Sequence, residues 1–567
     1  MKHPKANQML VQASLITASA LMLTVIQVPV SIFFSAWVAY VPFVLASSPH
    51  SRKLPLFIAA YVISLVYWLG NLYWLVPVTI PGWLTFCAYT ALLWPLLTLA
   101  IRFCRTKNIP LTIAVPVLIV GAEQLQGFLL GGFFWRHLSH SQFQNIPLIQ
   151  IADIFGAAGV SFLVAMVNGL FAEWIIAVKE KQLIKKALIV KNLTVAAVLA
   201  ASVLYGRWRI NQSADALEAG PLVASVQTNV PQSVKESSLE FEKTFNEMLT
   251  YSDQSMKAGA ELVVWPETMV TAHLDPVLLL ALESDHNYRY LDQTIREAAR
   301  NKAYILVGAY GAKFDELNLE IAERYNSAFL YTPEGIQAGS YNKIHLVPFG
   351  EVVPFKKSIP WLYDLLMTFT PYDYDYSLNY GTQYTIFNMK STTNRNLRDY
   401  KFGVMICYED AVPYIARKFV LDKNGKKRIH WLVNISNDGW FVRYDGKNIT
   451  PSAELSQHAA VCVFRAVENR LPIIRSVNTG ISCIIDSFGR INNGFLAGNL
   501  PKKALERTAC QGWFVDRVHI DKRTTFFSRT GQWLGGTCSI CLVVLVIGAF
   551  KKPRTVQTKH RNEKNKK

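Results

Sequence analysis

The sequence predicts two kinds of structure in one chain: a polytopic α-helical membrane domain and an α/β layered domain. Three observations predict it. Long apolar segments fill residues 1–206 and recur once near the C-terminus. Short β-rich runs alternate with helical periodicity through the middle. Charged residues are crowded into that middle and the C-terminal tail, although 51% of the 567 residues are hydrophobic.

Seven apolar segments precede the middle, at 9–28, 30–48, 54–75, 81–103, 110–126, 158–178 and 190–206, and an eighth lies at 533–550. Each is near the length of about 17–25 residues that a bilayer demands of a helix. The first is expected to be a retained span, because further spans follow it without a small-residue cleavage site. Lys2 and Lys5 precede the first span, Arg52 and Lys53 follow the second, and Arg102, Arg105 and Lys107 follow the fourth. Lys179, Lys181, Lys185 and Lys186 follow the sixth, and a lysine-rich tail follows the eighth. All fall on one side, which the positive-inside rule makes the cytoplasm. Arg136, Arg207 and Arg209 are exceptions. The expected organisation is a seven-helix membrane domain over 1–206, an extracytoplasmic domain over 218–520, a closing helix over 533–550 and a basic cytoplasmic tail over 551–567.

In the middle segment, Val223–Gln227, Leu262–Trp265, Ile305–Gly308, Val404–Ile406, Trp431–Ile435, Ile473–Val477 and Ile481–Asp486 read as strands. Phe241–Ala258, Tyr288–Asn301 and Glu454–Asn469 have helical periodicity. Such alternation predicts an α/β layered domain. The formal charge of +18 does not argue for nucleic acid, because its residues sit between apolar segments and in the tail, with no basic groove or recognised fold. The eight cysteines show no disulfide framework, and Cys538 and Cys541 lie inside an apolar span as packing residues. Cys462, Cys483 and Cys510 are buried thiols or a disulfide; the spacing leaves both open. No metal-ligand cluster and no cofactor motif is present, and His345 and His458 read as isolated structural histidines.

Three residues at the ends of apolar runs carry the chemistry: Glu267 in Leu262-Val-Val-Trp-Pro-Glu267, Lys343 in Tyr341-Asn-Lys343, and Cys407 in Val404-Met-Ile-Cys407. Strand ends lie at the rim of a sheet, where substrate reaches them. A cysteine attacks as its thiolate, so a nearby carboxylate that takes the proton and an ammonium that favours the anion make a working set. Taken singly, each residue is as well read as a surface ion-pair member or a buried cysteine.

Together, these contexts resemble the nitrilase superfamily and, within it, the apolipoprotein N-acyltransferases, over nearly the whole chain. The resemblance rests on Val263-Val-Trp-Pro-Glu267, on Tyr341-Asn-Lys343 with Leu346-Val-Pro-Phe-Gly-Glu351, and on Ile406-Cys-Tyr-Glu409. It extends to Ser436-Asn-Asp-Gly-Trp-Phe441, Arg465-Ala-Val-Glu-Asn469, Asn478-Thr-Gly480, Gln150-Ile-Ala-Asp153 and Gly159-Val-Ser-Phe-Leu163. It implies a nitrilase-like αββα sandwich beside eight transmembrane helices, with Glu267 as base, Lys343 as oxyanion stabiliser and Cys407 as nucleophile. Glu351, Tyr408 and Glu409 are implied as supporting residues, Glu409 alternatively as a structural hydrogen-bond acceptor. The implied reaction is ping-pong transfer of an acyl group from a phospholipid, through a Cys407 thioester, to the terminal S-diacylglyceryl-cysteine of an apolipoprotein. The implied place is the bacterial inner membrane, with the catalytic domain on the periplasmic side. Glu236 stands where the family commonly has tryptophan. Phe355–Phe369 reads as an interfacial lid or an ordinary core helix, and Ser391–Tyr400 and Leu421–Arg428 as surface insertions. Two rival readings are a membrane-tethered nitrilase-like amidase and an inactive lipoprotein-binding scaffold.

Overall fold

The computed structural model describes residues 4–181, 186–281, 286–315, 317–318, 320–368, 370, 375–393 and 396–551. Lys2, Lys185 and the tail beyond 551 lie outside them. Six helices are long and apolar enough to cross a membrane: Gln8–Val25, Lys53–Asn71, Ile80–Thr106, Ala157–Lys179, Lys186–Asn211 and Trp533–Phe550. Two of the eight expected spans are shorter. The segment expected at 30–48 is a 3-10 turn, Phe33–Trp37, followed by a six-residue helix, Val41–Ala46. Pro42 sits in the first turn of the second piece, the position that tolerates a missing N–H, so it restarts a helix and cannot continue one. Leu111–Gln126 has 16 residues with Pro116 inside, about 24 Å at 1.5 Å per residue. The Ile80–Thr106 span breaks at Ala91–Leu92, because the Pro95 ring would meet the carbonyl four residues back.

One end of this bundle is tied together by its own basic residues. The Lys53 ammonium donates to Ala549 O (2.5 Å), Arg102 to Ser51 O (2.8 Å) and Pro49 O (2.9 Å), and Arg105 to Val44 O (2.9 Å) and Leu45 O (3.1 Å). The other end carries the α/β part. Trp74 meets Phe441 with ring centroids 5.0 Å apart, and Arg443 lies 4.4 Å over Tyr73. Two of the three exceptional arginines have partners at this end. Arg136 donates to Leu23 O (3.0 Å) at the last turn of the first helix, and Arg209 pairs with buried Asp153 (2.8 Å).

The α/β part is two sheets packed face to face. Its strands are β1 (Leu217–Gln227), β2 (Leu262–Val264), β3 (Val270–His273), β4 (Tyr304–Asp315), β5 (Glu320–Tyr331), β6 (Gln337–Asn342), β7 (Ile386–Thr393), β8 (Asn396–Ile406) and β9 (Trp431–Ser436). They continue with β10 (Arg443–Tyr444), β11 (Ile449–Thr450), β12 (Ile473–Val477), β13 (Cys483–Ile485), β14 (Ile491–Asn492) and β15 (Gly512–Asp521). The first sheet has the order β15-β1-β2-β4-β5-β6, with β3 beside β4; the second has β14-β13-β12-β9-β8-β7. β1, β2 and β4 are mutually parallel, as are β8, β9 and β12. Such central strands are covered on both faces, and their near-continuous Val, Ile and Leu content follows from that. Between the sheets, the Ser476 hydroxyl reaches the Val226 and Val264 carbonyls, each at 2.9 Å.

Helices Ser238–Lys257 and His286–Ala299 cover the outer face of the first sheet through Phe245, Met248, Trp265 and Ile295. Helices Pro413–Val420 and Ala453–Asn469 cover the second. Every residue of the latter from Gln457 on is buried, because the membrane part lies against its other side. There Gln457 accepts from Trp135 Nε1 (2.8 Å), and Glu468 accepts from the Ala157 amide (2.9 Å). The result is an αββα sandwich seated on a helical bundle.

Candidate active site

Glu267, Lys343 and Cys407 come together where the strand ends of the two sheets meet. Glu267 follows β2, Lys343 follows β6, and Cys407 follows β8. Two tight turns aim them. Thr268, directly after Glu267, has φ +48°, and Cys407 itself has φ +53°, a region that costs a non-glycine residue energy and persists only where its surroundings enforce it. Gly308 of β4 permits the first turn, since a Cβ there would lie 2.2 Å from Pro266 O and 2.7 Å from Glu267 Cα.

The carboxylate of Glu267 is 4% exposed and fully occupied. Oε1 accepts from Lys343 Nζ (3.2 Å) and Asn326 Nδ2 (2.7 Å), and Oε2 accepts from the Asn437 amide (2.7 Å). Lys343 also reaches Glu351 Oε2 at 2.8 Å. Glu351 in turn accepts from Asn326 Nδ2 (2.8 Å) and the Val347 amide (2.9 Å). Burial works against the charge of Lys343, but Glu267 and Glu351 hold the ammonium well above its ordinary range, with Cys407 adding to them. The Cys407 thiol is pushed up, by burial first and by the Glu267 charge next, against the pull of Lys343 and His458. An isolated thiol here stays protonated at neutral pH; it needs a base at the moment of attack.

Glu409 is a buried clamp between the lysine and cysteine strands. Its Oε1 accepts from the Ile344 (2.7 Å) and His345 (2.9 Å) amides and its Oε2 from the Ile406 amide (2.8 Å), while the Tyr341 hydroxyl donates to the same carboxylate. That geometry favours the structural alternative for Glu409. Tyr408 points to the membrane part: its hydroxyl accepts from the Phe134 amide (2.7 Å), and its ring stacks on Trp135. The loop that holds Phe134 thus roofs the site's rim.

Sequence reasoning missed Asn326, which bridges both carboxylates; its signal was the polar pair Asn326-Ser327 opening the buried half of β5. It also missed the setting of His458, expected to be isolated. His458 lies 2.8 Å from Asp410, 3.2 Å from Asp438 and 3.3 Å from Glu454. These neighbours come from other strand ends and from one helical turn, separations the linear sequence hides. Burial and Arg475 oppose a charge on His458, but Asp410 and Asp438 hold it well above its ordinary range. Asp438, Glu454 and His458 place ligand atoms within 4.8 Å of one another, the arrangement that could hold a metal. A protonated imidazole has no lone pair to offer, and Arg475 already pairs with Asp410, so the cluster fits a buried ion network better. Cys462, Cys483 and Cys510 are free thiols. Of Phe355–Phe369, Phe369 lies outside the described residues; the rest forms no core helix, since Pro360–Met367 buries none of its residues and Trp361 is 69% exposed.

Fold and site define a membrane enzyme of the carbon-nitrogen hydrolase type. Residues 222–498 match the family model described as carbon-nitrogen hydrolase, and residues 19–170 match the apolipoprotein N-acyltransferase N-terminal domain. An apolipoprotein N-acyltransferase of Geobacter metallireducens is 31% identical over 537 residues, covering 91% of each chain. One of Chlorobaculum tepidum is 27% identical over 80% of this chain and 82% of its own. A solved amidase from Nesterenkonia sp. aligns with 55% of this chain and 93% of its own at 15% identity and a TM-score of 0.34. The chain belongs to the apolipoprotein N-acyltransferase family, and it is a multi-pass membrane protein.

Proposed function

We propose that this chain transfers an acyl group from a phospholipid to the terminal α-amine of an S-diacylglyceryl-cysteine on an apolipoprotein, through a thioester on Cys407. The observation that carries the reading is the buried carboxylate, ammonium and thiol at facing strand ends, roofed by a loop of the membrane part. In the first half-reaction Cys407 Sγ attacks the ester carbonyl while Glu267 takes the thiol proton. Lys343 faces the developing oxyanion. The C–O bond breaks, the lyso-lipid oxygen receives the proton, and the acyl group stays on sulfur. In the second, the amine attacks the thioester, Glu267 takes the ammonium proton, and the thiol is restored. Glu351 and Asn326 fix Lys343 and Glu267, Glu409 fixes the two strand ends, and Tyr408 ties the nucleophile's turn to the membrane part.

Both substrates are anchored by acyl chains, and extracting a chain from lipid costs about 0.8 kcal/mol per CH₂. A site that meets the bilayer avoids that cost. Exposed Phe128, Leu129 and Leu130 on the roofing loop and Trp361 and Leu365 beyond Glu351 give this one an apolar margin. The eight crossings remain part of this proposal, with the two shorter apolar helices completing the count, as does the placement of the site on the periplasmic face of the inner membrane. The basic residues gathered at the opposite end of the bundle support that orientation. No cofactor enters the scheme.

The test is transfer against hydrolysis. With a defined phospholipid and a peptide bearing an N-terminal S-diacylglyceryl-cysteine, the expected product is the N-acyl peptide. An α-amine near pKa 8 is partly neutral at pH 7, whereas lysine near 10.4 is not, so an acetylated terminus is inert even when lysines are present. Release of free fatty acid at the same rate with or without peptide supports the amidase-like alternative instead.

A further inference from the structure

A second buried lysine lies beside Glu267, and the scheme above does not use it. Lys235 belongs to the loop after β1, which Asn478 fixes by accepting from the Thr228 hydroxyl and the Val230 amide, each at 2.7 Å. The loop is tied to the site by Asn437 Nδ2 donating to Gln232 Oε1 (2.8 Å). Lys235 is 4% exposed. Among the described residues its ammonium makes one side-chain hydrogen bond, to Thr268 Oγ1 at 2.9 Å, and no ion pair within 4 Å. Thr268 is the strained residue that turns the chain directly after Glu267.

A charge count gives the ammonium a task. Lys343 is bonded to two carboxylates, Glu267 and Glu351, so one negative charge in that set is unmatched. A buried unmatched carboxylate favours its protonated form, which cannot act as a base. We propose that Lys235 is a positioning residue for acyl-enzyme formation: its charge, set on the Thr268 side of Glu267, supplies the missing cation and favours the carboxylate form that takes the thiol proton. This inference rests on the reading of Glu267 and Cys407 given above. The charged groups that bear on Lys235 are Glu267 and, beside it in the chain, Glu236. Those bearing on Cys407 include Glu267, Lys343, His458 and Asp438, and Glu409 stands behind Lys343. Burial lowers the Lys235 ammonium to about 8, with Glu267 and Glu236 resisting the fall. It is therefore charged at pH 7 and largely neutral above pH 8.5.

That gives the test a signature no packing defect shares. The rate of Cys407 thioester formation from a short-chain phospholipid in detergent is followed against pH, by mass spectrometry of the full-length chain. Lys235→Met is expected to move the acid limb upward by about one pH unit, a loss of rate that approaches tenfold on the acid side of the limb. Above pH 8.5 variant and wild type are expected to converge, because the wild-type lysine has itself lost its charge. Lys235→Arg is expected to keep the wild-type limb. Lys235→Gln supplies a second uncharged side chain should the methionine variant not fold. An unmoved limb in the uncharged variants, with the rate lowered uniformly or unchanged, overturns the proposal. If the wild type forms no thioester, the reading of the site fails instead, so the two failures are told apart.

Discussion

Lys343 and Lys235 are both buried beside Glu267, yet their environments drive them in opposite directions. Lys343 has two carboxylates, at 3.2 and 2.8 Å, and is held well above its ordinary range. Lys235 has a threonine hydroxyl, and burial pulls it down to about 8. Burial weighs on both; direct ion pairing separates them. The contrast teaches that a buried ammonium is anchored where carboxylates touch it and remains titratable where only a neutral oxygen does. In the proposed scheme this divides the labour at one carboxylate: one cation is fixed by ion pairs, and the other is lowered by burial to about 8.

The comparison breaks most visibly at Lys343. Lys343→Met leaves buried Glu267 and half-buried Glu351 around one apolar side chain, and removing one partner of a buried pair costs about 3–5 kcal/mol. The expected result is a marked drop in the unfolding midpoint of the purified protein in detergent. Thioester formation is also expected to be lost, even at temperatures where the variant stays folded. Wild-type stability in this variant would show that Lys343 does not hold the two carboxylates together.

A smaller effect sharpens the contrast through pH. The folded-state value of Lys235 lies below its unfolded value, so between pH 8 and about 10.4 the unfolded chain binds more protons and stability rises with pH. The fall from 10.5 to about 8 corresponds to about 3 kcal/mol across that window. Lys343 has the opposite sign: its contribution is fully present below the unfolded value and is lost as pH climbs through the raised folded value. Subtracting the pH–stability curve of Lys235→Met from that of wild type should therefore leave a rise between pH 8 and 10.4. The subtraction also removes Lys427, another lysine lowered by burial, to about 7. A flat difference would mean that Lys235 is not a buried cation.

How much of this was legible in the sequence depends on the kind of signal. Central strands announced themselves by apolar runs, and Ile473–Val477 matches the strand read from it residue for residue. β5 and β15 did not. β5 begins with an alternating half-exposed stretch, and β15 becomes a strand by pairing antiparallel with β1 from nearly three hundred residues away. In the membrane part, length and hydropathy located the helices, but Pro42 and Pro95 decided where they break. Glu267, Lys343 and Cys407 stood out as a candidate set because each follows an apolar run in a recognisable local context. Asn326 and Lys235 carry no such context: one is an asparagine within a strand, the other a lysine in a loop. Only the fold brings them to the same carboxylate.

The central claim is that Cys407 carries the acyl group, and its most direct measurement is the mass of the peptide containing it. After incubation with a phospholipid of one defined acyl chain, without amine acceptor, that peptide is expected to gain the mass of the acyl residue. The adduct should be discharged by neutral hydroxylamine, be absent in Cys407→Ala, and disappear when the diacylglyceryl peptide is added. No adduct on Cys407, or an adduct on another residue that survives in Cys407→Ala, would contradict the account.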